Sequence, residues 1–100
     1  MKQSTLSNFA RVYVPRSREA RVGPLAADMA HAAGGATLAA AVGIWEGQAE
    51  QIVTVTSYTS DIASLLAQVS KHVSKLLEDG ELAVAVETRE GLTLYEEGGE

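Results

Sequence analysis

Three arginines fall within six residues, Arg16, Arg18 and Arg21, just ahead of a Gly23-Pro24 pair that opens a helical pattern. Guanidinium forks match phosphate and carboxylate oxygens. The free N–H groups and dipole of a helix start also favour an anion. An anionic, nucleotide-like small molecule or an acidic protein surface is therefore one expected partner at these residues. The plain alternative is a solvated basic loop that balances an acidic body. The spacing fits neither a P-loop nor a dinucleotide fingerprint.

The other candidate groups offer less chemistry. Asp28 and His31 stand i, i+3 on the first helix, where a surface pair is the ordinary reading. His72 lies far along the chain on what reads as the exposed side of the second helix. Two histidines without a third ligand make a poor metal site. Glu46 and Glu50 flank a turn, where water surrounds both carboxylates and their acidities have no reason to diverge. The serines have no base at a recognisable spacing, and there are no cysteines. No catalytic residue, metal or cofactor is assigned on these grounds.

The elements that must position these groups follow from periodicity. Asn8–Pro15, NFARVYVP, alternates and reads as a strand that Pro15 ends. Arg16–Val22 reads as a basic loop. A helix then runs from Gly23-Pro24 to Gly34-Gly35, with proline tolerated in its first turn and glycine suited to its left-handed cap. Thr37–Trp45 reads as a strand, Glu46–Glu50 as a hairpin turn and Gln51–Tyr58 as the next strand. Ser60-Asp61 caps a second helix. Its apolar stripe is Ile62, Leu65, Leu66, Val69, Val73, Leu76 and Leu77, and Gly80 ends it. Leu82–Val86 is a strand, and Leu92–Tyr95 is a candidate short fifth strand.

This order predicts an α+β fold. It is a ferredoxin-like βαββαβ unit with a four-stranded antiparallel sheet and two helices on one face. Residues 1–7 read as a flexible N-terminus, 8–95 as one domain and 96–100 as an acidic tail. Val12, Val14, Val42, Ile44, Val53, Val55, Val84 and Val86 are expected under the helices. The other face would carry Phe9, Arg11, Tyr13, Trp45, Ile52, Thr54, Thr56, Tyr58, Ala83 and Ala85. That face is apolar and aromatic for a free surface. A homodimer or higher homo-oligomer through it is the leading expectation. A platform for a flat ligand, with Arg11, Tyr13, Trp45 and Tyr58 in contact, is the sharper one.

Charge narrows the partners. The chain carries a net charge of −5, which opposes a general nucleic-acid function. Residues 1–22 hold five basic side chains against Glu19, and the remainder holds Lys71, Lys75 and Arg89 against twelve acids. No apolar run approaches the ~18 residues of a membrane span, and no leader pattern is visible at the N-terminus. The absence of cysteine makes the cytoplasm the default setting.

The spaced residues Tyr13-Val14-Pro15, Gly34-Gly35-Ala36-Thr37, Gly43-Ile44-Trp45 and Glu50 before Val53-Thr54-Val55 resemble small uncharacterised ferredoxin-like proteins of phages, plasmids and bacteria. The resemblance covers residues 9–58. It implies a βαββαβ fold and a mobile-element or accessory setting, and it supplies no catalytic residue. The short 46–50 turn and the arginine-rich stretch depart from the pattern.

The sequence thus favours a non-enzymatic, oligomeric binding protein. In a phage it would be an accessory, anti-defence factor that captures a host component, with Arg11, Tyr13, Arg16, Arg18, Arg21, Trp45 and Tyr58 in contact. A small dimeric enzyme with a cavity lined by Tyr13, His31 and Trp45 is the alternative. A purely structural assembly role is the third reading.

Overall fold

In the computed structural model, which describes residues 1–97, five strands form a single antiparallel sheet. β1 spans Asn8–Pro15, β2 Thr37–Trp45, β3 Gln48–Thr59, β4 Ala83–Thr88 and β5 Gly91–Glu96. Their order across the sheet is β2-β3-β1-β4-β5, and every neighbouring pair is antiparallel. Two helices, α1 (Val22–Ala33) and α2 (Ile62–Glu78), accompany the sheet. The expected fifth strand is present, one residue longer at each end. Of the expected acidic tail, Glu96 closes β5, Glu97 lies in a turn and the rest falls outside the described residues.

One face of the sheet is the core. Val12, Val14, Val55, Val84 and Val86 are buried there with Leu25 and Met29 of α1 and Leu65, Val69, Val73 and Leu76 of α2. The helical stripe is the cause: residues three and four apart stack along one side of α2 and find the sheet's β-branched face. Asp61 starts α2 by accepting from Ser64 N at 3.2 Å and Ser64 Oγ at 2.7 Å. Gly34 ends α1 with φ of 89° and an N–H bond to Ala30 O.

Three expectations change. First, Val42 and Ile44 lie on the core side by register but are 65% and 72% exposed. The β2–β3 hairpin outreaches the helices, so nothing covers its far end. Second, that hairpin turns in two residues rather than five. Trp45 pairs with Gln48, and Glu46 and Gly47 both take positive φ, 50° and 79°. Two left-handed residues are what a type I′ turn needs to match the strand twist. Third, the stretch after β1 is not a loop. Arg16–Arg21 is 3-10 helical with a kink at Arg18, whose φ of −113° and ψ of 28° are not helical, and it runs into α1 at Val22.

Candidate ligand cleft on the open sheet face

The second face of the sheet has no helix. Register places Phe9, Arg11, Tyr13, Trp45, Ile52, Thr54, Thr56, Tyr58, Ala83 and Ala85 on it together, as alternation predicted. Among the residues it adds are Glu50 opposite Gly43, Glu87 opposite Arg11, Leu92 opposite Glu87 and Leu94 opposite Ala85.

Toward the hairpin end of this face lies a cleft of about 620 Å³. Its floor is Tyr13, Ile52 and Ala85. Trp45, Glu46 and Glu50 of the β2–β3 arm form one wall, and Glu81, Leu82 and Leu94 form the other. Trp45 closes the arm's side because its indole folds back along β2. A Cβ on Gly43 would stand only 2.9 Å from Trp45 Nε1. Glycine at 43 is what permits that approach.

The cleft has a sign. Glu46, Glu50 and Glu81 line it, and no lysine or arginine does among the described residues. Glu81 accepts from Arg18 Nε at 2.8 Å, whereas Glu46 and Glu50 have no ion-pair partner among the described residues. Two aromatic rings and two unpaired carboxylates in one recess suit an organic cation, by ring quadrupole and by charge.

Next to the cleft, Glu87 gathers the polar groups of the face. Its Oε1 accepts from Arg11 Nη1 and from Tyr13 Oη, each at 2.8 Å. Arg11 Nε also donates to Thr56 Oγ1 at 3.0 Å, and its guanidinium lies 5.2 Å from the centre of the Phe9 ring. Phe9 in turn meets Tyr58 across the strands at 5.4 Å. The Tyr13 hydroxyl and the Arg11 guanidinium hold the Glu87 carboxyl below its usual range. The hydrogen bond to Glu87 pushes the Tyr13 phenol up.

The three arginines of the 3-10 helix are not converged on an open anion site. Arg21 makes a two-pronged bond to Asp79, 2.7 Å on each prong. Arg18 holds Glu81, and Arg16 reaches Glu19 at 3.2 Å. Arg18 and Arg21 fasten the segment between β1 and α1 to the end of α2 and the chain that follows it, whereas the Arg16 pair stays within the segment. The Arg21 fork keeps Asp79 well ionised.

His72 corrects another expectation. It is 2% exposed, with Nε2 at 2.7 Å from Asp28 Oδ2, while His31 stays on the surface. Position 72 lies one heptad after Leu65, at the edge of the stripe where α1 packs. Asp28 of α1 supplies the partner for Nε2, while the buried Nδ1 has no hydrogen-bond partner among the described residues. The hydrogen bond to His72 lowers the Asp28 carboxyl. Tyr13 and Trp45 do share a cavity, but His31 is not among its lining. Among the described residues no group of His, Asp and Glu side chains is placed to hold a metal ion, and no helix is long and apolar enough to cross a membrane.

Comparison with known proteins places the fold. No family model and no curated protein sequence matches the chain. A solved structure of a phage SAM lyase in its apo state superposes with a TM-score of 0.66 at 21% identity, over 95% of this chain and 92% of that one. The likeness is one of fold.

Proposed function

We propose that this chain is a small phage or mobile-element accessory protein that binds an organic cation bearing a flat ring system, on a ferredoxin-like βαββαβ unit extended by β5. The observation that carries this reading is the cleft, which pairs Trp45 and Tyr13 with Glu46 and Glu50 and has no basic lining residue. The similar phage protein is named for SAM, and S-adenosylmethionine is such a ligand, a sulfonium joined to an adenine. The anionic-ligand alternative at Arg16, Arg18 and Arg21 draws no support from geometry, because each guanidinium already has a carboxylate partner.

Capture without turnover is the first reading. Breaking a sulfonium C–S bond sends the electron pair to sulfur and removes its positive charge. Carboxylates at the cleft favour the charged ligand over that transition state, so they act to hold rather than to cleave. Cleavage is the second reading, supported by the name of the similar structure. In the cell, either would deprive a host component, a defence system among them, of the ligand.

Self-association belongs to the same proposal. Leu92 and Leu94 on the open face, and Val42 and Ile44 on the helix side of the β2–β3 arm, are all more than half exposed, two apolar areas for a partner copy to cover. Native mass spectrometry of the purified protein should show a homo-oligomer, and a monomer at micromolar concentration contradicts this part.

Calorimetric titration with S-adenosylmethionine and with its neutral thioether S-adenosylhomocysteine tests the whole. The sulfonium should bind about tenfold more tightly, a difference of about 1.4 kcal/mol. Equal affinity or no binding refutes the cation reading. Loss of the added sulfonium, with a thioether product in the mass spectrum, selects cleavage over capture. A bare oligomer that binds neither compound leaves the assembly role.

A further inference from the structure

The Tyr13 hydroxyl is engaged before any ligand arrives. It donates to Glu87 Oε1 at 2.8 Å, and the same oxygen takes Arg11 Nη1 at 2.8 Å. On the sheet, Tyr13 stands opposite Ala85, while Glu87 stands opposite Arg11, one side-chain row away from the cleft. The hydroxyl is therefore drawn away from the Trp45 end of the face. What remains for the cleft is the Tyr13 ring. Arg11 completes the arrangement. It neutralises Glu87 and is itself fixed by Thr56 and the Phe9 ring, so the carboxylate has one place to be.

We infer that Glu87, clamped by Arg11, is a positioning residue for the cleft, holding Tyr13 so that its ring, and not its hydroxyl, meets a cationic ligand. The inference deepens the cation reading of the same cleft and rests on it for the sign of the ligand's charge. It accounts for a bonded cluster that no step of capture otherwise uses. It also explains a charge pattern: the one arginine on this face is tied to a carboxylate outside the cleft, leaving the recess free of positive charge. A ring face held still attracts a cation better than one that swings, because less side-chain freedom is lost on binding.

The test uses the full-length protein with tyrosine ring-labelled for carbon NMR, and tetramethylammonium chloride as the probe, against sodium chloride at equal ionic strength. Tyr13→Phe assigns the Tyr13 signal. In wild type, tetramethylammonium should shift the Tyr13 and Trp45 signals, and the Tyr13 phenol should titrate above the ordinary tyrosine range. In Glu87→Ala the phenol should fall back toward an ordinary tyrosine, and the Tyr13 response to the probe should weaken about three- to tenfold. The remaining spectrum should stay that of the folded protein. In Glu87→Gln, whose amide oxygen still accepts from the hydroxyl, the response should stay within about twofold of wild type. If Glu87→Ala does not fold, Tyr13→Phe carries the test: its ring has lost the anchor to Glu87, so the Trp45 response to the probe should weaken about three- to tenfold, and an unchanged Trp45 response overturns the inference.

No probe response at Tyr13 in wild type overturns the inference, as does an unchanged response in Glu87→Ala. So does equal loss in the folded Glu87→Gln and Glu87→Ala variants. A protein that fails to bind S-adenosylmethionine yet gives the expected Tyr13 pattern refutes that choice of ligand and leaves the positioning role standing.

Discussion

Gly43→Ala should move the only tryptophan without unfolding the protein. An ideal Cβ at position 43 would lie 2.9 Å from Trp45 Nε1 and 3.3 Å from Cε2. A relaxed contact is about 3.5–4.0 Å, so the indole must give way by roughly 0.5 Å or more. It can do so, because its neighbour is a side chain that is 45% exposed rather than backbone. Leaving a favoured rotamer costs about 0.5–1.5 kcal/mol. Replacing a strand glycine returns about 0.4–1 kcal/mol through the unfolded chain. The two nearly cancel, so the unfolding free energy from urea titration should change by less than about 1 kcal/mol. Trp45 emission should respond strongly, with a red shift and faster acrylamide quenching as the ring leaves the cleft wall. Ligand affinity should fall with it. A folded Gly43→Ala protein with wild-type emission and wild-type quenching refutes the assigned contact and, with it, the cleft's shape.

Further outcomes follow from other contacts. Glu46 is a non-glycine residue at φ of 50°, so Glu46→Asn should raise the unfolding free energy from urea titration by about 0.5–1 kcal/mol, since asparagine accepts the left-handed region more readily. Leu65→Ala, at a fully buried site, should cost about 2–5 kcal/mol, whereas Leu82→Ala, at an 89% exposed one, should stay within about 0.5 kcal/mol. Asp28, Asp61, Asp79 and Glu87 are all held below their usual acidity range by hydrogen bonds from His72, Ser64, Arg21 and Tyr13. A lowered carboxyl contributes stability that is present above its unfolded value, about 4, and lost as pH falls through the folded one. Denaturation midpoints should therefore be flat from pH 7 to about 5 and fall below about 4, with a smaller fall in Asp61→Asn.

The elements were largely legible because their signals are local. The α2 stripe repeats at helical spacing, the β1 and β3 residues alternate, and Asp61 and Gly34 cap as their types demand. Face assignment followed from alternation alone, and register confirms it for Phe9, Arg11, Tyr13 and Tyr58. What the sequence hid depends on lengths and partners. Nothing in Val42 or Ile44 says that the arm extends past the helices. Nothing in His72 says that Asp28 will meet it across α1. Glu87 was invisible as a site residue, because its role comes from the register that sets it beside Arg11 and diagonal to Tyr13. A basic residue and an acidic residue on one open face were the available signal. The ion pairs of Arg18 and Arg21 were hidden for the same reason: their acids, Glu81 and Asp79, lie about sixty residues away in sequence.

The most direct measurement is calorimetric titration of wild type and Glu50→Gln with S-adenosylmethionine. A carboxylate about 5 Å from a sulfonium at a wet site contributes roughly 0.8 kcal/mol. The account predicts that wild type binds and that Glu50→Gln binds about fourfold more weakly at low salt. Wild-type affinity in the variant, or no binding by wild type, would contradict it.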